Sequence, residues 1–109
     1  NWEMHLDFIE LRAKGLTGIN RNDAIADYRL MSQKANEFAA LYPDLARVFV
    51  ARSAYHLTKL QAPEVDWKQT AELFEKAAKV APLSSEDETF LREARAAVSS
   101  EADLATASP

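Results

Sequence analysis

Residues 51–82 decide the fold, and they read ARSAYHLTKLQAPEVDWKQTAELFEKAAKVAP. Apolar side chains recur every three or four positions on both sides of a short loop that contains Pro63. This period is that of an amphipathic helix. A second proline, Pro82, closes the stretch. Because proline lacks the amide hydrogen that continues a helix, we predict two helices that form a hairpin, with further helices packed against it.

The composition is that of one helical domain. The chain has 109 residues, which suffices for one hydrophobic core. It contains only two glycines and four prolines, whereas alanine, leucine, glutamate and lysine, which favour helices, are abundant. There are no cysteines, which excludes disulfides and thiolate metal sites. The first residue is Asn1 rather than Met, and we expect either a piece of a longer chain or a mature form without its signal peptide.

The charge and hydropathy narrow the classes of partner. The net charge is −4, whereas nucleic acids and anionic membrane surfaces attract basic proteins. No apolar run approaches the length of a membrane-spanning helix. We therefore expect neither nucleic-acid binding nor membrane insertion.

The first helix is predicted between Trp2 and Leu16, and it is apolar on two sides. One stripe repeats every three or four residues and contains Trp2, Leu6, Ile9, Ala13 and Leu16, and a second contains Met4, Phe8 and Leu11. So wide an apolar surface requires cover on both sides or a subunit contact. Gly15 and Gly18 predict a left-handed stop after this helix.

Four more helices follow from periodicity and capping residues. Helix 2 begins at Asn20 or Asn22 and ends before Pro43, which starts helix 3. Helix 3 stops near Gln61. Capping-box patterns predict the starts of helices 4 and 5; they are Asp66 with Gln69, and Ser85 with Glu88. We predict an all-α domain of antiparallel helical hairpins over residues 1–98, and a flexible tail over residues 99–109.

The back half of the hairpin carries a recognisable spacing. The large aromatic residue Phe74 is followed three positions later by the small residue Ala77. Pro82 comes five positions after Ala77. From about Ala35 to Val98 the chain partly resembles tetratricopeptide-repeat proteins. This resemblance implies a short right-handed stack of antiparallel helix pairs. It also implies that a peptide or a partner protein binds in the groove lined by the first helix of each pair.

Helix 3 supplies the candidate binding residues. Arg52, His56 and Lys59 are spaced to lie on one face of that helix. One interpretation is a basic strip that binds the carboxylates of an acidic peptide, as some tetratricopeptide grooves do. The commoner alternative is an ordinary solvated helix face.

No pattern in the sequence predicts catalysis, a metal site or a cofactor. Glu3, His5, Asp7 and Glu10 cluster in the first helix, but His5 and Asp7 are about 200° apart around a helix and cannot share an ion. No triad or glycine-rich phosphate loop is present. We therefore predict a non-enzymatic protein-interaction module. The alternative is a structural subunit that forms homo-oligomers through the apolar face of helix 1, and a third class is an enzyme with a deep polar pocket.

Overall fold

Five α-helices make up the fold. The computed structural model describes the backbone of residues 1–107 and the side chains of residues 1–105. The helices are α1 (Trp2–Leu16), α2 (Arg21–Ala39), α3 (Pro43–Lys59), α4 (Trp67–Val80) and α5 (Ser85–Ala107), and no strand occurs in this described backbone. Each helix packs against its neighbours in sequence, and α3 also contacts α5. The predicted all-α array of helical hairpins is confirmed.

Contacts at the helix ends give the directions of the helices. Trp2, at the start of α1, stacks on Tyr42, which follows α2, so α1 and α2 are antiparallel. Arg21, at the start of α2, donates to the carbonyl of Leu60, which follows α3. In contrast, α3 and α5 run parallel. Arg52 binds Asp87, 35 positions later, and Lys59 binds Glu93, 34 positions later, so the contacts advance in the same direction along both helices.

The core consists of two apolar clusters, one that contains Tyr28 and one that contains Phe74. Its largest fully buried apolar side chains are Tyr28 at 1% exposure and Phe74 at 0%. Full burial of such a ring contributes about 1.5–3 kcal/mol to the free energy of unfolding. The predicted inner stripe of α1 belongs to this core, because Leu6, Ile9 and Ala13 are all buried. The periodicity therefore gave the correct buried face of α1.

The predicted starts of α2 and α4 are confirmed in atomic detail. The Asn20 side chain accepts a hydrogen bond from the Asp23 amide at 3.1 Å. At α4 the Asp66 carboxylate accepts from the Gln69 amide at 2.8 Å, and the Gln69 side chain accepts from the Asp66 amide at 3.1 Å. Both arrangements satisfy amides that have no partner within the helix.

The predicted cap of α5 is displaced by one residue. The amide of Asp87 donates to Ser84 at 3.2 Å, and the helix begins at Ser85. Ser84, rather than Ser85, is therefore the capping side chain. The reason is tertiary, because this register places the Asp87 carboxylate against Arg52 of α3.

Among the described residues, left-handed backbone occurs at Gln61 and not at a glycine. Its φ is 63°, whereas neither Gly15 nor Gly18 has a positive φ. With Gln61 in this conformation, the Ala62 amide reaches the Leu57 carbonyl at 2.9 Å, which is the closing hydrogen bond of a Schellman motif. The predicted glycine stop after α1 is wrong, since the chain leaves α1 through a right-handed turn.

Helix α5 continues beyond the expected end of the ordered domain. The apolar stripe ends near Val98, yet the helix runs through residue 107, and the side chains of residues 99–105 are exposed. Loss of a buried face does not remove helix propensity, and this segment is rich in alanine. The flexibility predicted for residues 99–109 stays a prediction, and residues 108 and 109 lie outside the described residues. None of the helices in residues 1–107 combines the length and apolar character needed to cross a bilayer.

Candidate functional site

Helices α1, α3 and α5 share one face of the fold, which we call the α1–α3–α5 surface. Its central residues are Glu10 of α1; Arg52, His56 and Lys59 of α3; and Asp87, Phe90 and Glu93 of α5. The three candidate residues predicted on helix 3 therefore lie on one surface. Each of them also contacts side chains from other helices, which the sequence did not predict.

Arg52 forms a bidentate ion pair at this surface. Its Nε and Nη2 donate to the two oxygens of Asp87 at 2.7 and 2.8 Å. Asp87 is only 1% exposed and also accepts from the Ser84 hydroxyl at 2.9 Å. The hydrogen bonding to Asp87 is the largest cause that raises the pKa of Arg52. Two parallel charge-assisted bonds are a strong, directional pairing, so most of the Arg52 charge is neutralised within the chain.

Lys59 is paired at the rim of the same surface. Its Nζ lies 3.0 Å from Glu93 Oε1, and the Tyr55 hydroxyl donates to the other Glu93 oxygen. The hydrogen bond from Tyr55, followed by that from Lys59, lowers the pKa of Glu93. The side chains of Lys59 and Glu93 are 50% and 39% exposed. Such an exposed ion pair contributes only about 0–1 kcal/mol, so a partner can exchange it at little cost.

His56 lies among aromatic rings rather than in water. Its ring stacks on Tyr28 with centroids 4.5 Å apart, and Tyr55 and Phe90 approach it edge-on. Burial, and then the charges of Lys14, Arg52 and Lys59, lowers its pKa to about 4. His56 is therefore neutral at pH 7. It is not a cationic member of a basic strip.

Like His56, whose Nε2 has no hydrogen-bond partner in the described chain, Glu10 has an unsatisfied buried side-chain atom. It is 9% exposed, its Oε1 lies 3.8 Å from Arg52 Nη1, and its Oε2 finds no hydrogen-bond donor in the described part of the chain. Burial raises its pKa, while the charges of Arg52 and Lys14 act in the opposite direction. Asp7 and Glu86 are close enough to raise the pKa of Glu10 further.

Sequence reasoning missed Asp87 and Glu93 altogether and considered Glu10 only as a metal ligand. One signal could have found Asp87. It lies four residues before Leu91 and seven before Ala94, so it occupies the apolar stripe of α5. A carboxylate on a buried stripe requires a cationic partner.

The outer face of α1 is uncovered. Met4, Phe8 and Leu11 are 70%, 60% and 71% exposed, and they lie on the opposite side of α1 from its buried stripe. Gly15 lies on the same side, and a side chain there would meet no atom within 4 Å. Within the described chain, the second apolar stripe predicted for α1 is therefore left in solvent.

The remaining surface offers clefts but no metal centre. A cleft of about 190 Å³ adjoins the Arg52–Asp87 pair and is lined also by Leu45 and Val48. Another, of about 330 Å³, lies between α2, α3 and α4 beside Arg47 and Lys76. Among residues 1–107, no three acidic or histidine side chains converge closely enough to hold a metal ion.

Comparison with known proteins gives no match, so the function is argued from the α1–α3–α5 surface and the outer face of α1. No family model, no curated protein and no solved structure matches the chain.

The ion pair between Arg52 and Asp87 is expected to be strongly coupled. Asp87→Leu should lower the free energy of unfolding by about 3–5 kcal/mol, because it leaves a largely buried guanidinium without its partner. Arg52→Met should have a similar effect, and the double variant should lose much less than the sum of the two. Urea unfolding followed by circular dichroism measures all three.

Ser84→Ala is the control that isolates the contribution of the cap, about 1 kcal/mol. If the effects of Asp87→Leu and Arg52→Met add within about 0.5 kcal/mol in the double variant, the coupling is contradicted.

The buried neutral state of His56 predicts a pH dependence. The unfolded chain binds a proton at His56 near its ordinary pKa of 6.5, whereas the folded chain does so only near 4. Stability should therefore fall as the pH drops between these values, by about 2 kcal/mol at pH 5. His56→Phe keeps the ring stack and should remove this part of the loss, as measured by urea unfolding at pH 7.5 and pH 5. His5→Phe, at an exposed position, should retain it; equal losses in both variants would exclude His56 as the source.

Proposed function

We propose that the chain is a non-enzymatic protein-interaction module that binds a peptide, or an extended segment of a partner protein, on the α1–α3–α5 surface. The observation that carries this proposal is the convergence of charged side chains from three helices beside an accessible apolar cleft. Leu45 is 45% exposed there, and Val48 is half-buried. Binding surfaces of this kind combine apolar contact with polar groups that fix orientation.

The arrangement of the helices supports a tetratricopeptide-like mode of binding. In such arrays the first helix of each pair lines the groove, and here α1, α3 and α5 would be those helices. The contacts between α3 and α5 join residues 34 and 35 positions apart, close to the 34-residue period of tetratricopeptide repeats. We therefore propose that the partner lies across these three helices.

The three predicted binding residues have different roles in this proposal. Lys59 is half-exposed and weakly paired, so it can contact a partner directly. Arg52 holds Asp87 in place, and His56 forms part of the aromatic floor. Arg52→Glu would consequently disrupt folding as well as binding, and it cannot serve as a test of binding alone.

Two exposed apolar residues provide a cleaner test. Leu45 lies in the cleft beside Arg52, whereas Val80, similarly exposed at 41%, ends α4. Peptides selected by the wild-type chain from a displayed random library should bind Leu45→Glu at least about tenfold more weakly, a loss of about 1.4 kcal/mol. Val80→Glu is the control and should bind normally. Fluorescence anisotropy measures the affinities, and failure to select any peptide, or equal binding by the two variants, would contradict the proposal.

The exposed outer face of α1 favours a second candidate function. A structural subunit that self-associates would cover Met4, Phe8 and Leu11, which are 60–71% exposed in the single chain. Contiguous exposed apolar patches commonly mark interaction sites. The adjacent Gly15 leaves room for a second helix to approach closely. In a two-fold dimer the same face of each copy would meet.

Light scattering over a wide range of protein concentration tests this second candidate. The wild-type chain should show a mass that rises towards that of a dimer, because association removes the α1 face from water. Phe8→Glu should stay at the mass of one chain, and Val80→Glu should behave as the wild type. A wild-type chain that keeps the mass of a monomer at every concentration would exclude self-association.

A further inference from the structure

The exposed residues on the outer face of α1 are spaced as in a coiled coil. Met4, Phe8, Leu11 and Gly15 follow one another at intervals of four, three and four residues, which is the alternation of the two inner positions of a heptad repeat. The three apolar side chains are 60–71% exposed, and a side chain at Gly15 would meet no atom within 4 Å. This spacing fits a second helix of the same period, laid along the outer face of α1.

Charged residues flank this stripe on both sides. Asp7 and Lys14 lie on one flank; both are exposed, and neither forms an ion pair within residues 1–105. His5 and Arg12 lie on the other flank, where Arg12 already binds Asp27 through two hydrogen bonds of 2.9 Å. In coiled coils, charges at these flanking positions set the choice of partner and the direction of the helices. One flank of α1 therefore presents both an anion and a cation to a neighbouring helix.

An antiparallel second copy of α1 matches the stripe residue by residue. If Phe8 of one copy lies opposite Leu11 of the other, two-fold symmetry also places Leu11 opposite Phe8. The same register places Met4 of each copy opposite Gly15 of the other. A long flexible side chain then fills the space that each glycine leaves. All four inner positions of both helices are covered in this register.

The flanking charges agree with the antiparallel direction. In such a pair each flank meets the same flank of the other copy, and Asp7 lies about 3 Å along the helix axis from Lys14 of the second copy. Two ion pairs form, one on each side of the two-fold axis. A parallel pair would instead bring Asp7 to Arg12, whose guanidinium is already bound by Asp27. It would also set Gly15 against Gly15 and leave a gap.

We propose that the outer face of α1 binds the same face of a second copy of this chain in antiparallel orientation. Phe8 packs on Leu11 of the other copy, and Asp7 pairs with its Lys14. This inference rests on the second candidate function, and it specifies the direction and register of the contact. Charge complementarity identifies the occupant, because one flank supplies both the anion and the cation that its partner requires. Three helical turns make a small contact, and small interfaces are typically weak, so the test has to trap a short-lived dimer.

Disulfide trapping measures the register, because the chain has no cysteine of its own. Equal amounts of Met4→Cys and Gly15→Cys chains are mixed in a glutathione redox buffer, and mass spectrometry separates the three possible dimers. The mixed dimer should exceed either homodimer at least about tenfold, whereas random collision gives about twofold, because only the mixed pair brings two cysteines within disulfide range. In the proposed pair, equal positions of the two copies lie about 16 Å apart along the helix axis at both sites.

The control adds Phe8→Glu to both cysteine chains. It should lower the yield of mixed dimer at least about tenfold, because it places a charge in the apolar contact. An unchanged yield would mean that the disulfide forms by collision alone. A majority of the two homodimers would show a parallel pair, and a random mixture would show that the face has no fixed register. Each of these results, or the absence of any disulfide dimer, would overturn the inference.

Charge exchange tests the ion pairs. Asp7→Lys and Lys14→Glu each create two pairs of like charge, so each should raise the dissociation constant of the dimer at least about tenfold, as measured by sedimentation. A mixture of the two variants restores both pairs and should associate as the wild type does. Lys68→Glu makes the same change in charge as Lys14→Glu at an exposed position on α4, and it should leave association unchanged. An equal effect of Lys68→Glu, or a mixture that stays dissociated, would contradict the proposed pairs.

The outcomes separate this inference from the second candidate function. If the wild-type chain associates and Phe8→Glu prevents it, but the trapping or charge-exchange results differ from those expected, the self-associating face stands without the antiparallel register. A wild-type chain that stays monomeric at every concentration and yields no mixed disulfide dimer would overturn both. The peptide-binding proposal is tested at Leu45, on another surface, and does not depend on any of these results.

Discussion

The fold depends on the ion pair between Arg52 and Asp87. Helices α3 and α5 are not neighbours in sequence, and this pair joins them with two short hydrogen bonds. Asp87 also receives the Ser84 hydroxyl, so the same carboxylate organises the start of α5. A buried carboxylate is unfavourable unless its acceptors are used, and here both oxygens are occupied. The position of α5, and with it one wall of the α1–α3–α5 surface, is therefore fixed by electrostatics as well as by apolar packing.

Local signals in the sequence were sufficient for the architecture. The caps at Asn20 and Asp66 act within one helical turn, and Pro43 restricts its own backbone, so these boundaries follow from neighbouring residues. The exceptions are positions where a distant contact decides. Ser84 is chosen over Ser85 because Asp87 must face α3. Gln61 takes a conformation suited to glycine while Ala62 and Leu57 enter the core together, at 4% and 2% exposure, and burial of this apolar pair accompanies the Schellman motif.

The candidate site was predictable only in part. Helical spacing placed Arg52, His56 and Lys59 on one face, because three residues of one helix obey one period. Their charges could not be interpreted in the same way, since the groups that neutralise them lie 34 and 35 positions away on another helix. His56 shows the limit most clearly. Arg52 and Lys59 lie one helical turn before and after it, yet its environment is set by Tyr28 and Phe90 from α2 and α5, and burial keeps it neutral.

An ion pair between two side chains of the same surface presents little net charge to an approaching ligand. The unpaired groups therefore determine which ligands are attracted. On the α1–α3–α5 surface α1 contributes Glu10, whose Oε1 lies 3.8 Å from Arg52 and whose Oε2 has no hydrogen-bond donor in the described chain. The opposite side of α1 carries the exposed apolar stripe. This helix is fastened to α2 by paired hydrogen bonds from Arg12 to Asp27, at 2.9 Å each. One helix thus contributes to both proposed surfaces, and a contact that shifts α1 on its outer side must also move Glu10 on the other.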